Sequence, residues 1–189
     1  MSRGYFQKFQ IKDVVFLAIM SAVALATCAV MPLVISLQPL IFGISQLVTA
    51  LQIGVFFAIG LYKVRKPGSL LLMALMMGLI QLMMSPPMFL SSVLNGVLIE
   101  LIVLLLFGGY ERDAAVFVAA MLHTPLSLPF NYLYNRLMKG ADSPLAAVAD
   151  RAPLAAVGMT LAVTAVSALG ALIGIKIARE LKKSGVLKK

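Results

Sequence analysis

Residues 88–107 read MFLSSVLNGVLIELIVLLLF, a run closed by Gly108-Gly109 and the charged Tyr110-Glu111-Arg112-Asp113, with Glu100 its one ionisable side chain. About 20 mostly apolar residues in a helix cross the hydrocarbon core of a bilayer, so this stretch reads as a membrane span. The rest of the chain agrees. Of 189 residues 61% are hydrophobic and 12% charged, with a mean hydropathy of +1.01. Soluble domains are about 45–50% apolar and about 25% charged, which excludes both a water-facing globule and a disordered chain. The expectation is one all-α integral membrane domain over residues 1–189.

Working outward, Pro, Gly and charge clusters mark six spans at about 14–35, 40–62, 69–84, 88–107, 114–137 and 153–177. Six crossings put both termini on one side. Thirteen of the sixteen basic residues fall there, among them Lys63, Arg65, Lys66, Arg112 and Arg179, leaving Arg136, Lys139 and Arg151 opposite. The positive-inside rule makes that side cytoplasmic, in a prokaryotic-type cell membrane. The net charge of +9 is thereby an orientation signal in a lipid bilayer and not the mark of a nucleic-acid partner. The first span is too long for the core of a cleaved signal peptide and reads as retained. Residues 138–152, the longest outer segment, form either a lid or a plain connection.

Motifs for chemistry are few. No Walker A lysine, His-Glu-x-x-His or Gly-x-Ser-x-Gly occurs, and the single Cys28 forms no disulfide within the chain. One histidine, His123, builds no metal site of the usual kind, so neither a metal nor a cofactor is expected. Polar residues at membrane depth are costly and mark candidate sites. Glu100, with Gly96 and Ser92 on the same helix face, reads as a ligand or proton site, or else as a carboxyl bonded to a neighbouring helix. In the fifth span His123, Ser127, Asn131 and Asn135 recur every fourth residue and stack on one face, with Tyr134 beside them. Pro125 and Pro129 free backbone carbonyls along it. This stripe rises from mid-membrane to the outer surface and suits a pocket loaded from outside, though interhelical bonding is the competing use. Gln81 near the outer end of the third span and Asn95 in the fourth join the candidates, and Gln46, Thr49 and Gln52 form a rough face on the second. Glu100 and His123 are expected at similar depth on consecutive helices. Thr160, Thr164 and Ser167 follow a helical spacing in the sixth span, where such hydroxyls commonly bond their own backbone.

Two faces carry small residues at fourfold spacing: Ala18, Ala22 and Ala26 in the first span, and Gly170 and Gly174 in the sixth. Such spacing lets helix backbones approach, either within the chain or against a partner.

Six short spans, cytoplasmic termini, the alanine ladder and the start Ile11-Lys12-Asp13-Val14-Val15-Phe16-Leu17-Ala18 resemble the S components of energy-coupling factor (ECF) transporters. Arg65-Lys66-Pro67-Gly68-Ser69-Leu70 and Asn95-Gly96-Val97-Leu98-Ile99-Glu100 further resemble the YkoE-type group linked to thiamine or hydroxymethylpyrimidine. The resemblance implies a subunit that captures a vitamin or related micronutrient from outside. A membrane coupling protein (T component) with two ATPase subunits would then drive its release inward, making the whole an ABC importer. It places the alanine face, Ala18, Ala22 and Ala26, against the coupling protein. It makes Glu100, Asn131 and Asn135 pocket residues, beside His123, Asn95, Tyr134 and Gln81 from the spacing. Phe130, Tyr132 and Tyr134 supply rings near the outer face, and tryptophan is absent. The alternatives are an intramembrane enzyme with Glu100 and His123 as acid and base, and a stand-alone proton-coupled carrier. The first reading expects no enzyme.

Overall fold

The computed structural model describes residues 8–28, 33–34, 36–138, 140 and 143–187. Among these, seven helices form and no strand: α1 (Ile11–Thr27), α2 (Ile44–Lys63), α3 (Ser69–Leu82), α4 (Pro86–Phe107), α5 (Asp113–Met138), α6 (Pro144–Arg151) and α7 (Pro153–Lys183). Four of them, α2, α4, α5 and α7, are long and apolar enough to cross a membrane. The helix α3 has 14 residues and α1 has 17, both short of a full span at 1.5 Å per residue. The expected first span ran to residue 35, and its stretch 29–32 and residue 35 lie outside the described residues. The second starts at Ile44 and not near residue 40, because turns occupy residues 36–43. A helix that the spans did not anticipate, α6, lies between α5 and α7.

Helix ends follow local chemistry. The Asp13 carboxylate accepts the Gln10 N–H at 3.1 Å and closes the first turn of α1. Gly68 holds φ +89° at the start of α3, a conformation that Pro67-Gly68 reaches without strain. Pro86 and Pro87 open α4 where no backbone donor is needed, and Gly108 at φ +69° ends it. The helix α5 continues through Pro125 and Pro129.

The tightest packing joins α2 and α7. A Cβ on Gly170 would lie 2.4 Å from the Leu51 carbonyl oxygen, and one on Gly174 would lie 2.4 Å from that of Val55. From the facing side, a Cβ on Gly54 would come 2.8 Å from the Ser167 carbonyl oxygen. The Gly170/Gly174 pair is thus consumed inside the bundle, which resolves its two readings in favour of internal packing. Around this seam Leu17, Phe57, Leu61, Met73, Ile99 and Val116 form a fully buried core.

One end of the bundle is tied by charge. Lys66 reaches Asp13 at 2.7 Å and the Lys8 carbonyl at 2.9 Å, while Asp113 receives Arg65 at 2.5 Å and Arg179 at 2.6 Å. The start of α1, the α2–α3 and α4–α5 turns and the last turns of α7 therefore share one end, which is the basic one. The other end is built from the starts of α2, α4 and α6 and the ends of α3 and α5.

Candidate functional site

At that second end a cavity of about 410 Å³ descends between α2, α3, α4 and α5, with the start of α6 at its rim. Its size falls within the usual range for small-molecule sites, about 300–1,000 Å³. Helix α2 contributes Ser45, Gln46 and Thr49, α3 Gln81, α4 Ser91, Ser92 and Asn95, and α5 His123, Thr124, Ser127, Asn131, Tyr134 and Asn135. Gln38 and Ser143 enter from the connections. The stripe at every fourth residue of α5 forms one whole wall, as its spacing required.

Several of these groups are already oriented. The Gln38 amide donates to Ser45 Oγ, which donates to Gln46 Oε1 at 2.9 Å. Asn135 donates to the Asn131 carbonyl at 2.8 Å and accepts from Ser143 Oγ at 3.2 Å, joining α5 to the start of α6. Ser127 donates to the Thr124 carbonyl at 2.6 Å, and Ser92 to the Ala74 carbonyl at 3.0 Å. Asp150 fixes α6 by accepting Tyr132 Oη at 2.7 Å and Arg136 at 2.9 Å. Helix α6 thus borders the mouth, held at its start through Ser143 and at its end through Asp150.

The deepest wall residue on α4 is Asn95, and on α5 it is His123 with Thr124. All three are buried, and Asn95 Oδ1, both His123 ring nitrogens and Thr124 Oγ1 have no partner among the described residues. His123 packs on Phe57, ring centroids 4.5 Å apart and tilted by 55°. Among the described residues no group of three or more metal-ligating side chains forms.

Six of the seven residues expected in the pocket therefore line one cavity: Asn131, Asn135, His123, Asn95, Tyr134 and Gln81. The seventh, Glu100, does not. Its carboxyl accepts the Gly68 N–H at 2.6 Å, the Leu71 N–H at 3.3 Å and Tyr110 Oη at 2.9 Å, at the basic end of the molecule. The geometry is that of a side chain satisfying the orphan amides at the start of α3. Burial and the neighbouring Glu100 push the Tyr110 phenol above its ordinary value. The pairing with His123 that a similar depth would permit does not form: the carboxyl is taken by these three donors, and neither His123 ring nitrogen has a partner among the described residues. It fails because α4 runs away from the mouth, and five residues below Asn95 the side chain has reached the α2–α3 turn.

The two short motifs Arg65-Lys66-Pro67-Gly68 and Asn95…Glu100 meet here in one clasp, with Gly68 donating to Glu100. Of the three rings expected near the outer face only Tyr134 lines the cavity; Tyr132 is spent on Asp150 and Phe130 is not on the wall. Gln46 and Thr49 are on it, whereas Gln52 is not. Thr160 and Thr164 bond the carbonyls four residues earlier, at 2.9 and 2.7 Å. Sequence reasoning missed Thr124, Ser45, Gln38 and Ser143. Ser45 was findable, one helical turn before Thr49; Thr124 lies off the fourfold stripe and carried no signal.

Residues 11–183 match the model of a family described as hypothetical bacterial integral membrane protein (Trep_Strep). The chain belongs to the Trep_Strep family. With four helices among the described residues long and apolar enough to cross a membrane, this Trep_Strep chain is a multi-pass protein of the plasma membrane. No curated protein matches it. Among solved structures it is similar to one described as the crystal structure of an S-component of an ECF transporter, at 20% identity and a TM-score of 0.64, over 95% of this chain and 89% of that one. The likeness shows a shared fold.

Proposed function

We propose that this protein is the substrate-capture subunit of an ECF-type importer. The observation that carries the reading is a cavity of hydrogen-bonding side chains, set opposite the basic end of a bundle with the S-component fold. The basic end faces the cytoplasm by the positive-inside rule, with both termini, so the mouth faces outward and loads from outside. The cargo is a vitamin or related micronutrient, with thiamine or hydroxymethylpyrimidine favoured by the two short motifs. A membrane coupling protein with two ATPase subunits supplies the energy for release.

The coupling protein docks on α1. Ala22 and Ala26 are exposed and Ala18 half-buried, on a side shared with the exposed Ile11, Val15 and Ile19. A stripe of small residues permits the close backbone approach that helix association in lipid requires. The enzyme reading draws on Glu100 with His123 and the proton-carrier reading on Glu100; the capture reading is preferred to both because the Glu100 carboxyl is engaged by Gly68, Leu71 and Tyr110.

The test is affinity purification of the tagged full-length chain from its native membrane. The expected result is co-purification of a membrane coupling protein with two ATPases, lost in Ala18→Trp/Ala22→Trp while the variant stays folded. Recovery of the chain without them, with the double variant supporting unchanged uptake, would contradict the reading.

A further inference from the structure

Five buried side-chain polar atoms lack a hydrogen-bond partner among the described residues, and four of them belong to Asn95, His123 and Thr124. These residues are 1%, 4% and 3% exposed and lie at the deep end of the α4 and α5 walls. A buried polar atom left unpaired costs about 1–3 kcal/mol. Three neighbours bearing such atoms on one cavity floor form a recognition surface. Asn95 Oδ1 accepts; a neutral imidazole donates through one nitrogen and accepts through the other; a hydroxyl does both. The complement is an edge that carries both donors and acceptors.

The wall adds a second constraint. Among the described residues it contains no Asp, Glu, Lys or Arg, and Glu100, the one acid in this part of α4, is turned to the opposite end. Of the three helix starts at the mouth, α4 opens with Pro86-Pro87 and α6 with Pro144, which removes three of the amides an anion would use, whereas α2 opens on Ile44 and keeps its own. An ion entering this site would lose its hydration without a counter-charge, at a cost of several kcal/mol.

We infer that the cavity selects an uncharged small molecule with an amide-like donor–acceptor edge, such as a carboxamide, a ureide or an amino-substituted nitrogen ring, read by Asn95, His123 and Thr124. The inference rests on the capture reading and sharpens it: of the two favoured cargoes, the neutral hydroxymethylpyrimidine fits the wall and the thiazolium cation of thiamine does not.

The experiment uses the full-length chain in detergent, stripped of small molecules, and reads thermal unfolding. In the ligand-free protein Thr124→Val and Asn95→Leu remove atoms that have no partner, so the melting temperature stays level or rises. A fall of more than about 4 °C in both, near 1 kcal/mol or more, would mean the atoms are already paired in the fold and would overturn the inference. Four probes at millimolar concentration follow: hydroxymethylpyrimidine against thiamine, and nicotinamide against nicotinate. The expected result is a rise in melting temperature with the neutral member of at least one pair, abolished by Asn95→Leu and reduced at least tenfold in affinity by Thr124→Val. A larger rise with a charged member, or none with any of the four, would overturn it. Failure of the coupling protein and ATPases to co-purify would leave these outcomes untouched and strike the capture reading alone.

Discussion

Replacing Glu100 tests the central correction that the structure makes to the sequence. Its carboxyl accepts three hydrogen bonds, from the Gly68 and Leu71 amides and from Tyr110 Oη. Glu100→Ala strands all three donors. Tyr110 is fully buried, so its phenol bears most of the desolvation penalty, about 1–3 kcal/mol; the two amides, partly buried at a helix start, add roughly 0.5–1 kcal/mol each. The sum is about 2–5 kcal/mol, or roughly 4–20 °C in melting temperature at about 2–4 °C per kcal/mol. Glu100→Gln keeps one acceptor oxygen but turns an NH₂ toward donors, and should cost about half as much. Tyr110→Phe removes a single donor and should cost about 1 kcal/mol. The assay is thermal unfolding in detergent for all three variants, with ligand affinity measured below the transition. The expected pattern is graded destabilisation, Ala over Gln over Phe, with affinity within twofold of wild type. Lost binding in Glu100→Gln at an unchanged melting temperature would refute the clasp and return Glu100 to the cavity.

Three further outcomes follow from the packing and the wall. Gly174→Val drives a Cβ to 2.4 Å from the Val55 carbonyl oxygen and should cost more than the usual 1–3 kcal/mol of overpacking, seen as loss of the folded, monodisperse protein; Gly158→Ala, at a glycine with no neighbour within 4 Å, is the control and should melt like wild type. Asn131→Leu should weaken ligand binding at least tenfold with the melting temperature within about 2 °C of wild type, as read by calorimetry and unfolding on the same preparation. Asp113→Asn, which faces both Arg65 and Arg179, should lower the melting temperature at low ionic strength and lower it less in high salt, because the partners are half-exposed.

Membrane class, helical architecture and the polar wall of α5 were legible because each depends on local pattern. A run such as residues 88–107 has one physical use, and side chains at fourfold spacing share a face whatever surrounds the helix. Glu100 was misplaced for the opposite reason. Its depth was read from its position in an apolar run, whereas its role is decided by Gly68 and Leu71, about thirty residues away and visible only when α3 folds back against α4. The Gly170/Gly174 spacing shows the same limit. It correctly signalled a close helix approach, but the backbone it approaches belongs to α2 of the same chain. Thr124 is a floor residue only because α5 turns that side of the helix, as well as its stripe, toward the cavity. The short-motif resemblance has a structural explanation too: both motifs serve one clasp at the end away from the cavity, so they report the fold of the α2–α3 turn more directly than the cargo.

Capture from outside requires the cavity to open outward, away from the basic end. In a Cys28→Ser background, a membrane-impermeant maleimide should label Asn135→Cys at the cavity rim in intact cells, with the rate slowed by cargo, and label Lys183→Cys only after permeabilisation. Labelling of Lys183→Cys in intact cells, with Asn135→Cys protected until lysis, would contradict it.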